Sequence, residues 1–379
     1  MSELRSVAFN LVFLVPKVGG GSERYAHELI PAMLAARPGL RVSAYVNKDA
    51  DAALRSQPWA WEVEWVRLPV RGLSRPWRLL AELAGVPAVA ARRRPDVVHS
   101  LGSVAPPLLP RAANVLTLLD VIWMHHETMS RISTLSMRVL GPLSARRADR
   151  VITISEAARE DIAQTLGIGR EKIDVTHLGV DAGGRHTPPP GDVRERLRIP
   201  AGPIVLSVGA KRPHKNLMRL IEAVPEISAD PPPVLVLAGL STPHEAELRD
   251  RARELGLSER VCFLDHVDEA DLEALFAAAS CFVLPSLQEG FGLPVLEAMS
   301  RGVPVASSNS SSLPEVAGDA ALMFDPTDTS AIAKAVERLL NDGDLARRLI
   351  DAGHAQAERF TWRATAEATL ASYERAMAA

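Results

Sequence analysis

The chain has 379 residues, of which 47% are hydrophobic and 23% charged, so it is long enough for two hydrophobic cores. No segment approaches 18 apolar residues without a charge, which excludes a fold built on membrane-spanning helices. The formal net charge of −3 gives no indication of a nucleic-acid-binding protein.

The start of the chain, Met1 to Arg5, lacks the charged and then apolar order of a signal peptide. Two cysteines, Cys262 and Cys281, both lie in apolar, strand-like runs, which argues against a disulfide framework or a metal site. We therefore expect a cytoplasmic protein.

Short apolar runs alternate with helical patterns through the first half of the chain, which predicts β-α-β units and a parallel sheet. The predicted strands are residues 7–15, 41–46, 61–68, 95–100, 114–120 and 150–155. Functional groups of such a sheet lie at the carboxyl ends of its strands, where His99, Asp120 and Ser155 fall. For His99, a buried hydrogen-bonded group is the alternative to a ligand contact.

Three consecutive glycines, Gly19, Gly20 and Gly21, follow the first predicted strand and precede a helix that begins near Glu23. Because glycine has no side chain, this backbone could approach a ligand closely, and in nucleotide-binding folds that ligand is a phosphate. The alternative is a flexible turn without a ligand.

Basic residues are concentrated between Arg71 and Arg94, where the only carboxyl side chain is Glu82. Leucines and Trp77 lie between the arginines. Such a segment can be an interfacial helix, which would place the protein peripherally at the inner face of a membrane, or a site for an anionic acceptor. The remaining alternative is a solvated helix face.

The second half follows the proline-rich residues 186–192, which predict a linker. Its predicted strands are residues 203–209, 234–239, 260–267, 281–284 and 303–307, with helices over 271–280 and 361–379.

A basic turn follows Gly209 and precedes a helix; its charged or titratable side chains are Lys211, Arg212, His214 and Lys215. Positive side chains beside a helix N-terminus neutralise a diphosphate and stabilise its growing charge as it leaves. A solvated basic turn would look the same in isolation.

The stretch from Pro285 to Met299 joins a predicted strand to a predicted helix through a loop that contains Gly290 and Gly292. A glycine loop and a helix N-terminus present several backbone N–H groups to one spot, which suits a phosphate. The carboxylates of Glu289 and Glu297 are better suited to accept hydrogen bonds from sugar or ribose hydroxyls. The pattern therefore predicts a nucleotide-sugar site.

The two glutamates, with Gly-Phe-Gly-Leu-Pro between them, resemble the E-x7-E signature of retaining glycosyltransferases of family 4, the group that includes mannosyltransferase-like members. Gly209 followed by Lys215-Asn216 resembles the glycine and Lys-Asn motif of the same family. The resemblance covers nearly the whole chain. It implies an α/β protein with the GT-B fold, in which two Rossmann-like domains face each other across a cleft.

The same resemblance implies the domain boundaries. These are residues 1–182 for an N-terminal, acceptor-side domain, 183–202 for a linker, 203–360 for a nucleotide-sugar-binding domain, and 361–379 for a C-terminal helix that crosses back to the first domain.

The resemblance also implies roles for individual residues. Lys215 would neutralise the diphosphate together with a second basic residue, for which Arg212 is favoured. Glu289 would bind sugar hydroxyls near the reacting carbon, and Glu297 would hold the ribose hydroxyls. The remaining substrate contacts would come from the backbone of Gly20, Gly21, Gly209, Gly290, Phe291, Gly292 and Leu293 and from the backbone near Val267 at the base. His99 is a candidate substrate contact from its position at a strand end, independently of the resemblance. No metal and no cofactor is implied.

One position departs from the family pattern. Members commonly place His-Asp after the strand that ends here at Asp120, but Leu119 stands where the histidine would be. Leucine cannot hydrogen-bond to a sugar hydroxyl, so His125 or His126 could replace that contact. A donor lacking the hydroxyl, such as a deoxy sugar, is the favoured alternative, and an inactive protein is a third.

The implied activity is the transfer of a sugar from a UDP- or GDP-linked donor to an acceptor hydroxyl, with retention at the anomeric carbon. The acceptor could be a sugar, a lipid-linked sugar or a small molecule. The alternatives are a nucleotide-sugar epimerase or phosphorylase on the same fold, and a non-catalytic sugar-binding subunit that supports a partner transferase.

Overall fold

The structure is a computed structural model, and it describes residues 3–16, 20–102, 104–125, 131–181 and 192–379. The chain divides into two compact units, one formed by Met1–Gly179 with Trp362–Ala379 and the other by Val180–Thr361. Each unit is built on a parallel sheet with helices packed against it, so the predicted α/β class is confirmed.

Over the described residues, the first unit has a sheet of seven parallel strands in the order β3-β2-β1-β4-β5-β6-β7. The strands are β1 Ser6–Leu11, β2 Arg41–Val46, β3 Val63–Arg67, β4 Val97–Ser100, β5 Ala113–Thr117, β6 Arg150–Thr153 and β7 Ile173–Val175. The helices are α1 Gly20–Ala36, α2 Lys48–Leu54, α3 Arg75–Leu80, α4 Val86–Arg93, α5 Ile122–His125, α6 Arg131–Arg147 and α7 Glu156–Leu166. Strand order reverses between β1 and β4, which is the arrangement of a Rossmann-like sheet.

Strand β1 is shorter than the apolar run 7–15 predicts. The buried Asn10 accepts a hydrogen bond from the backbone N–H of Val12 at 3.3 Å, which turns the chain out of the sheet. Asn47 then donates to the carbonyls of Val12 at 2.9 Å and Leu14 at 2.7 Å. The continuing apolar residues, of which Val12 and Leu14 are buried, therefore lie in a turn, because two asparagine side chains satisfy its backbone.

Over its described residues, the second unit has a sheet of six parallel strands in the order β10-β9-β8-β11-β12-β13. The strands are β8 Ile204–Val208, β9 Val234–Ala238, β10 Val261–Leu264, β11 Ala279–Leu284, β12 Val305–Ser308 and β13 Ala321–Phe324. The helices are α8 Val193–Leu197, α9 Leu217–Ala223, α10 Glu245–Glu254, α11 Glu269–Ala278, α12 Leu293–Ser300, α13 Leu313–Ala317, α14 Thr329–Asn341 and α15 Gly343–Ala357.

Helix α8 lies inside the predicted linker 183–202. Its Arg196 forms an ion pair with Asp271 of α11 at 2.6 Å, which joins residues 192–202 to the second unit. The proline-rich residues up to 191, on which the linker prediction rested, lie outside the described residues.

The last helix, α16 Trp362–Ala378, packs on α1 and is part of the first unit. Its Trp362 ring lies 6.3 Å from that of Tyr25 in α1, and Glu374 pairs with Arg37 at 3.0 Å. The chain therefore returns to its first unit after completing the second.

None of the helices traced in these ranges combines the length and the apolar character that crossing a bilayer requires.

Between α3 and α4, residues Ala81–Gly85 form a single turn of π-helix that carries Glu82. The side chain of Glu82 is buried, and its Oε1 has no hydrogen-bond partner among the described residues. Burial raises the pKa of Glu82 to about 7, although the charges of Arg78 and Arg75 act in the opposite direction. The carboxyl group is therefore neutral in mildly acidic solution and costly to ionise above neutrality.

We expect Glu82→Gln to stabilise the chain at pH 8 and not at pH 5. The folded pKa near 7 exceeds the ordinary 4.5, so the stability that the neutral form contributes is complete below pH 4.5 and is lost as the pH rises through 7. The gain in free energy of unfolding should approach about 3 kcal/mol at alkaline pH. Urea unfolding at pH 5 and pH 8 measures the free energy of unfolding of the variant and the wild type, with the exposed Glu62→Gln as control. An equal difference between Glu82→Gln and wild type at the two pH values would contradict the prediction.

Candidate functional site

The strand order of the second unit reverses between β8 and β11, which pair directly in the sheet. The loops that leave the carboxyl ends of these two strands run in opposite directions, so a crevice opens between them. One loop carries Lys215 and the other carries Glu289. Open parallel sheets bind their ligands at this position.

An ion pair joins the two loops. The Lys215 Nζ lies 2.6 Å from Glu289 Oε1, and the hydroxyl of Ser286 donates to the same carboxylate oxygen at 2.7 Å. The side chains of Lys215 and Glu289 are only 17% and 9% exposed. Two residues predicted from separate motifs, one for the diphosphate and one for the sugar, therefore meet at one point.

Asn216 determines where Lys215 stands. Its backbone is left-handed, with φ of 56°, and its side-chain amide donates to the carbonyls of Pro285 at 2.9 Å and Pro326 at 2.7 Å. The backbone N–H of Leu287 also donates to the carbonyl of His214 at 2.8 Å. The sequence prediction gave Asn216 no role; asparagine is a residue that tolerates this backbone conformation, which was the available signal.

Lys211 is buried and serves the sheet instead of a ligand. Its Nζ donates to the carbonyl of Leu264 at 2.7 Å and to that of Gly239 at 2.5 Å, and it pairs with Glu245 at 3.4 Å. Burial lowers the pKa of Lys211, while the charge of Glu245 acts to raise it. These bonds tie together the carboxyl ends of β9 and β10. Arg212 is half-exposed in the same turn.

The glycine loop between β11 and α12 is closely packed. Gly292 has φ of 108°, and a Cβ at this position would lie 2.5 Å from Leu313 Cδ2. The ring of Phe291 is buried against Phe360, with centroids 5.8 Å apart. Gly290 precedes them in the loop, and α12 begins at Leu293 directly afterwards.

Glu297 lies in α12, one turn or about 6 Å along the axis from Leu293. Its side chain is buried. Gly209 directly follows β8 and lies beside Lys215, since a Cβ there would lie 3.7 Å from Lys215 Cε. Val267 stands three residues beyond β10 and is half-buried. The second unit thus places Gly209, Lys215, Glu289 and the glycine loop around the crevice.

Among the predicted residues of the first unit, Gly20, Gly21 and Leu119 lie near the start of α1. Gly20 and Gly21 open that helix instead of preceding it, and Gly19 lies outside the described residues. A Cβ on Gly21 would lie 3.9 Å from Leu119 Cδ1. Asp120 caps α5, because its Oδ1 accepts from the N–H of Ile122 at 3.0 Å.

His99 is an internal hydrogen-bonding group in the structure, which is the alternative that the sequence left open for this residue. Its ring has no exposed surface, and its two nitrogens lie 2.7 Å from the hydroxyls of Tyr373 and Thr117. Burial lowers the pKa of His99 to about 3, so the ring is neutral at physiological pH. Tyr373 belongs to α16, so His99 holds that helix on β4.

Ser155 likewise acts within the fold, since its hydroxyl caps α7 by accepting from the N–H of Ala158 at 2.9 Å. His125, one proposed substitute for the missing histidine, lies 2.9 Å from Asp161 of α7. His126 lies outside the described residues. Across the described ranges, no three His, Cys, Asp or Glu side chains come together as a set that could hold a metal ion.

Comparisons with known families cover both halves of the chain. Residues 19–183 match the model of "Glycosyltransferase Family 4", and residues 192–356 match the model of "Glycosyl transferases group 1". The chain belongs to the GT-B glycosyltransferases of group 1 and family 4.

A curated relative of this GT-B chain is the O-antigen chain mannosyltransferase B of Escherichia coli, which is 33% identical over 232 residues. That alignment covers 60% of this chain and 61% of the relative, so the chain spans about three fifths of the relative's length.

Two solved structures share the fold. Sucrose-phosphate synthase from Thermosynechococcus elongatus has a TM-score of 0.75 at 23% identity and is covered over 99% of both chains. Anabaena HepE, solved in complex with UDP and glucose, has a TM-score of 0.73 at 21% identity, over 97% of this chain and 98% of its own.

Replacing Gly292 with Ala should disturb the glycine loop of this GT-B chain. The added Cβ meets Leu313, and the left-handed backbone disfavours any residue with a side chain. We expect a loss of about 1–3 kcal/mol in the free energy of unfolding. Gly343→Ala is the control, because a Cβ at Gly343 meets nothing within 4 Å. If the two variants were equally stable by urea unfolding, the predicted strain at position 292 would be wrong.

Proposed function

We propose that this protein transfers a sugar from a nucleoside diphosphate donor to an acceptor hydroxyl, with retention at the anomeric carbon. The observation that carries the proposal is the buried contact between Lys215 and Glu289 at the carboxyl ends of β8 and β11. A cation suited to phosphate and a carboxylate suited to hydroxyls would then share one crevice with a glycine loop and a helix N-terminus, which supports the proposal. A nucleotide sugar needs both kinds of group within a few ångströms.

The reaction breaks the bond between the anomeric carbon and the terminal phosphate oxygen, and it forms a bond from that carbon to the acceptor oxygen. Negative charge grows on the departing diphosphate. Lys215 and Arg212 would neutralise this charge, with backbone N–H groups of the loop from Gly290 to Leu293 assisting. The acceptor proton would leave with the diphosphate.

The two glutamates would divide the donor between them. Glu289, held beside Lys215, would bind sugar hydroxyls next to the reacting carbon. Glu297, one turn inside α12, would accept hydrogen bonds from the ribose hydroxyls. Each charge-assisted bond of this kind contributes about 1.5–3 kcal/mol. Asp120 and Leu119 of the first unit are further candidates for a contact with the donor sugar.

The substitution at Leu119 supports a donor that lacks the hydroxyl normally bound there, such as a 6-deoxy sugar. An apolar side chain suits a methyl group, and His125 is already engaged with Asp161. The name of the E. coli relative supports a mannose-type donor, and the UDP and glucose bound to HepE support a uridine nucleotide. Both of these relatives are compatible with a donor in which a hexose is linked to a nucleoside diphosphate.

A donor screen tests the function. Purified protein is incubated with UDP- and GDP-linked sugars, including 6-deoxy forms, and release of nucleoside diphosphate is measured with simple sugar acceptors. Lys215→Ala should lower kcat by roughly 100-fold while changing KM less, because its charge matters most as the diphosphate leaves. A raised KM alone would reassign Lys215 to ground-state binding.

The alternatives predict other results in the same assay. An epimerase would convert the donor sugar without releasing nucleotide. A non-catalytic subunit would bind nucleotide sugar and release nothing, even with every donor tested. Calorimetry with Glu297→Ala adds a separate check, since unchanged donor affinity would remove Glu297 from the site.

We further infer a weak peripheral contact with anionic membranes. The contact surface, here called the arginine face, is formed by residues 71–80, which include α3, and by α6. Three large apolar side chains of its first segment are strongly exposed: Leu73 79%, Trp77 62% and Leu80 54%. The side chain of Arg75 donates to Ser136 at 2.8 Å, which joins α3 to α6. Exposed apolar residues among arginines suit a lipid interface.

Helix α6 extends the same chemistry. Val139 and Leu143 are exposed one turn apart, with Arg138, Arg146 and Arg147 exposed beside them. The one carboxyl side chain within residues 71–94 and 131–147 is Glu82, which is buried. The arginine face thus carries positive charge without an exposed acid of its own, which is complementary to anionic lipid.

We expect the protein to co-sediment with phosphatidylglycerol vesicles at low salt and to be released at about 0.5 M salt. Trp77→Ala combined with Leu80→Ala should reduce binding at least about threefold, because both side chains would leave the lipid interface. Trp61→Ala is the matched control, since Trp61 is 83% exposed but lies outside the arginine face. Equal binding of the double variant, or binding that salt does not weaken, would reject the inference.

A further inference from the structure

Two consecutive serines after β12 contact the glycine loop. The hydroxyl of Ser312 lies 2.8 Å from the carbonyl oxygen of Phe291 and 3.1 Å from that of Glu289. The hydroxyl of Ser311 donates to the carbonyl of Glu289 at 2.7 Å and accepts from the Glu289 N–H at 3.3 Å. No sequence motif singled out either residue, yet both hold the loop that carries Glu289.

The distances indicate which carbonyl receives the hydroxyl hydrogen of each serine. A serine hydroxyl has one hydrogen to donate, and each serine is nearest to a different carbonyl. Ser311 therefore donates to Glu289, and Ser312 donates to Phe291. Ser312 is completely buried, so its hydrogen bond is shielded from competing water.

These bonds orient the N–H groups of the loop. The peptide bonds after Glu289 and Phe291 are trans, and in a planar trans peptide the N–H points opposite to the carbonyl. Since both carbonyls point at the serines, the N–H groups of Gly290 and Gly292 point away from them, to the other side of the loop. Two aligned N–H groups form a concave site for an anion.

The start of α12 makes these two groups important. Its second residue, Pro294, has no N–H, and the N–H of Val295 already bonds to the carbonyl of Gly292 at 2.9 Å. A helix N-terminus normally offers three or four N–H groups to an anion. Here the helix contributes fewer, so the glycine loop must supply the difference.

Ser312 contributes to the loop instead of to its own helix. It stands at the N-cap of α13, where a serine side chain usually bonds to a backbone N–H of the first turn. Its side chain makes no such bond to α13. Ser311 has a left-handed backbone, with φ of 58°, which disfavours residues other than glycine. Ser312 therefore bonds to the loop without capping its own helix, and Ser311 bonds to the loop from an unfavourable backbone conformation.

We propose that Ser311 and Ser312 are positioning residues that direct the N–H groups of Gly290 and Gly292 towards the diphosphate of the donor. This inference rests on the proposed function and deepens it, because it names the groups that prepare the phosphate site before the donor arrives. Neither hydroxyl hydrogen would be donated to the donor, because both are bonded to carbonyls of the loop. Their hydroxyls act through the two carbonyls, and preorganised N–H groups stabilise the charge that develops on the leaving diphosphate.

The test compares Ser312→Ala and Ser311→Ala with Ser307→Ala. Ser307 is a serine of β12 that is as buried as Ser312, while Ser311 is exposed; its hydroxyl lies 3.4 Å from the carbonyl of Ser308 and makes no bond to the glycine loop. Calorimetry measures the affinity for UDP and GDP, and for uridine and guanosine, which have no phosphate. Steady-state assays with the best donor give kcat and KM, and thermal unfolding gives Tm.

For Ser312→Ala, we expect affinity for the nucleoside diphosphate to fall by roughly tenfold, with little change in affinity for the nucleoside. The value of kcat should fall more than KM rises, because the N–H groups matter most when charge develops. Ser311→Ala should show the same pattern more weakly, since Ser312 can still reach Glu289. Ser307→Ala should match the wild type.

Three results would overturn the proposal. These are unchanged diphosphate affinity in both serine variants, equal losses for nucleoside and nucleoside diphosphate, and an effect of the same size in Ser307→Ala. If Ser312→Ala does not fold, Ser311→Ala decides alone. Failure of the proposed function is distinct, because the wild type itself would then bind no nucleoside diphosphate and release none from any donor.

Discussion

The contact between Lys215 and Glu289 is the interaction on which the candidate site depends. Two opposite charges that are largely shielded from water stabilise each other, and either one alone would be costly to bury. Both loops must therefore reach the same point. Asn216 bonds to the Pro285 carbonyl, which joins the two loops, and Ser286 bonds to Glu289 within its own loop, which holds the carboxylate beside Lys215. The sheet supplies the starting point, because β8 and β11 are neighbours whose loops diverge.

Burial divides the polar residues of this chain between structure and ligand binding. Lys211 and Lys215 lie four positions apart in the same turn, yet Lys211 is fully buried and bonds to strand ends, while Lys215 reaches the crevice. His99 shows the same division in the first unit. It stands at the carboxyl end of β4, where ligand contacts are expected, but Tyr373 and Thr117 occupy both of its nitrogens. Position at a strand end is therefore not sufficient evidence for a ligand contact.

The family assignment rests on patterns that the sequence shows locally. The fifteen residues from Pro285 to Met299 follow a strand and encode Gly-x-Gly and a helix start, with a glutamate on each side of Gly-x-Gly, and alternating apolar and helical runs predict parallel sheets. Because these patterns are local, they did not predict where β1 ends or that helix α8 forms. The run from residue 7 to 15 reads as one strand, but the side chain of Asn10 ends β1 at Leu11 by bonding to the next turn. Helix α8 was hidden beside a proline-rich segment.

The sequence by itself determined the class of fold, the two sheets and the residue types of the donor site, because these follow from periodicity and from short contiguous motifs. Only the tertiary structure decided that Lys211 bonds to the sheet while Lys215 contacts Glu289, that the ring of His99 is buried, and that Ser311 and Ser312 bond to the glycine loop. These outcomes depend on contacts between residues far apart in the chain. The residues at 289 and 312 meet because β11 and β12 are neighbouring strands, and no local pattern records which side chains then come within hydrogen-bonding distance.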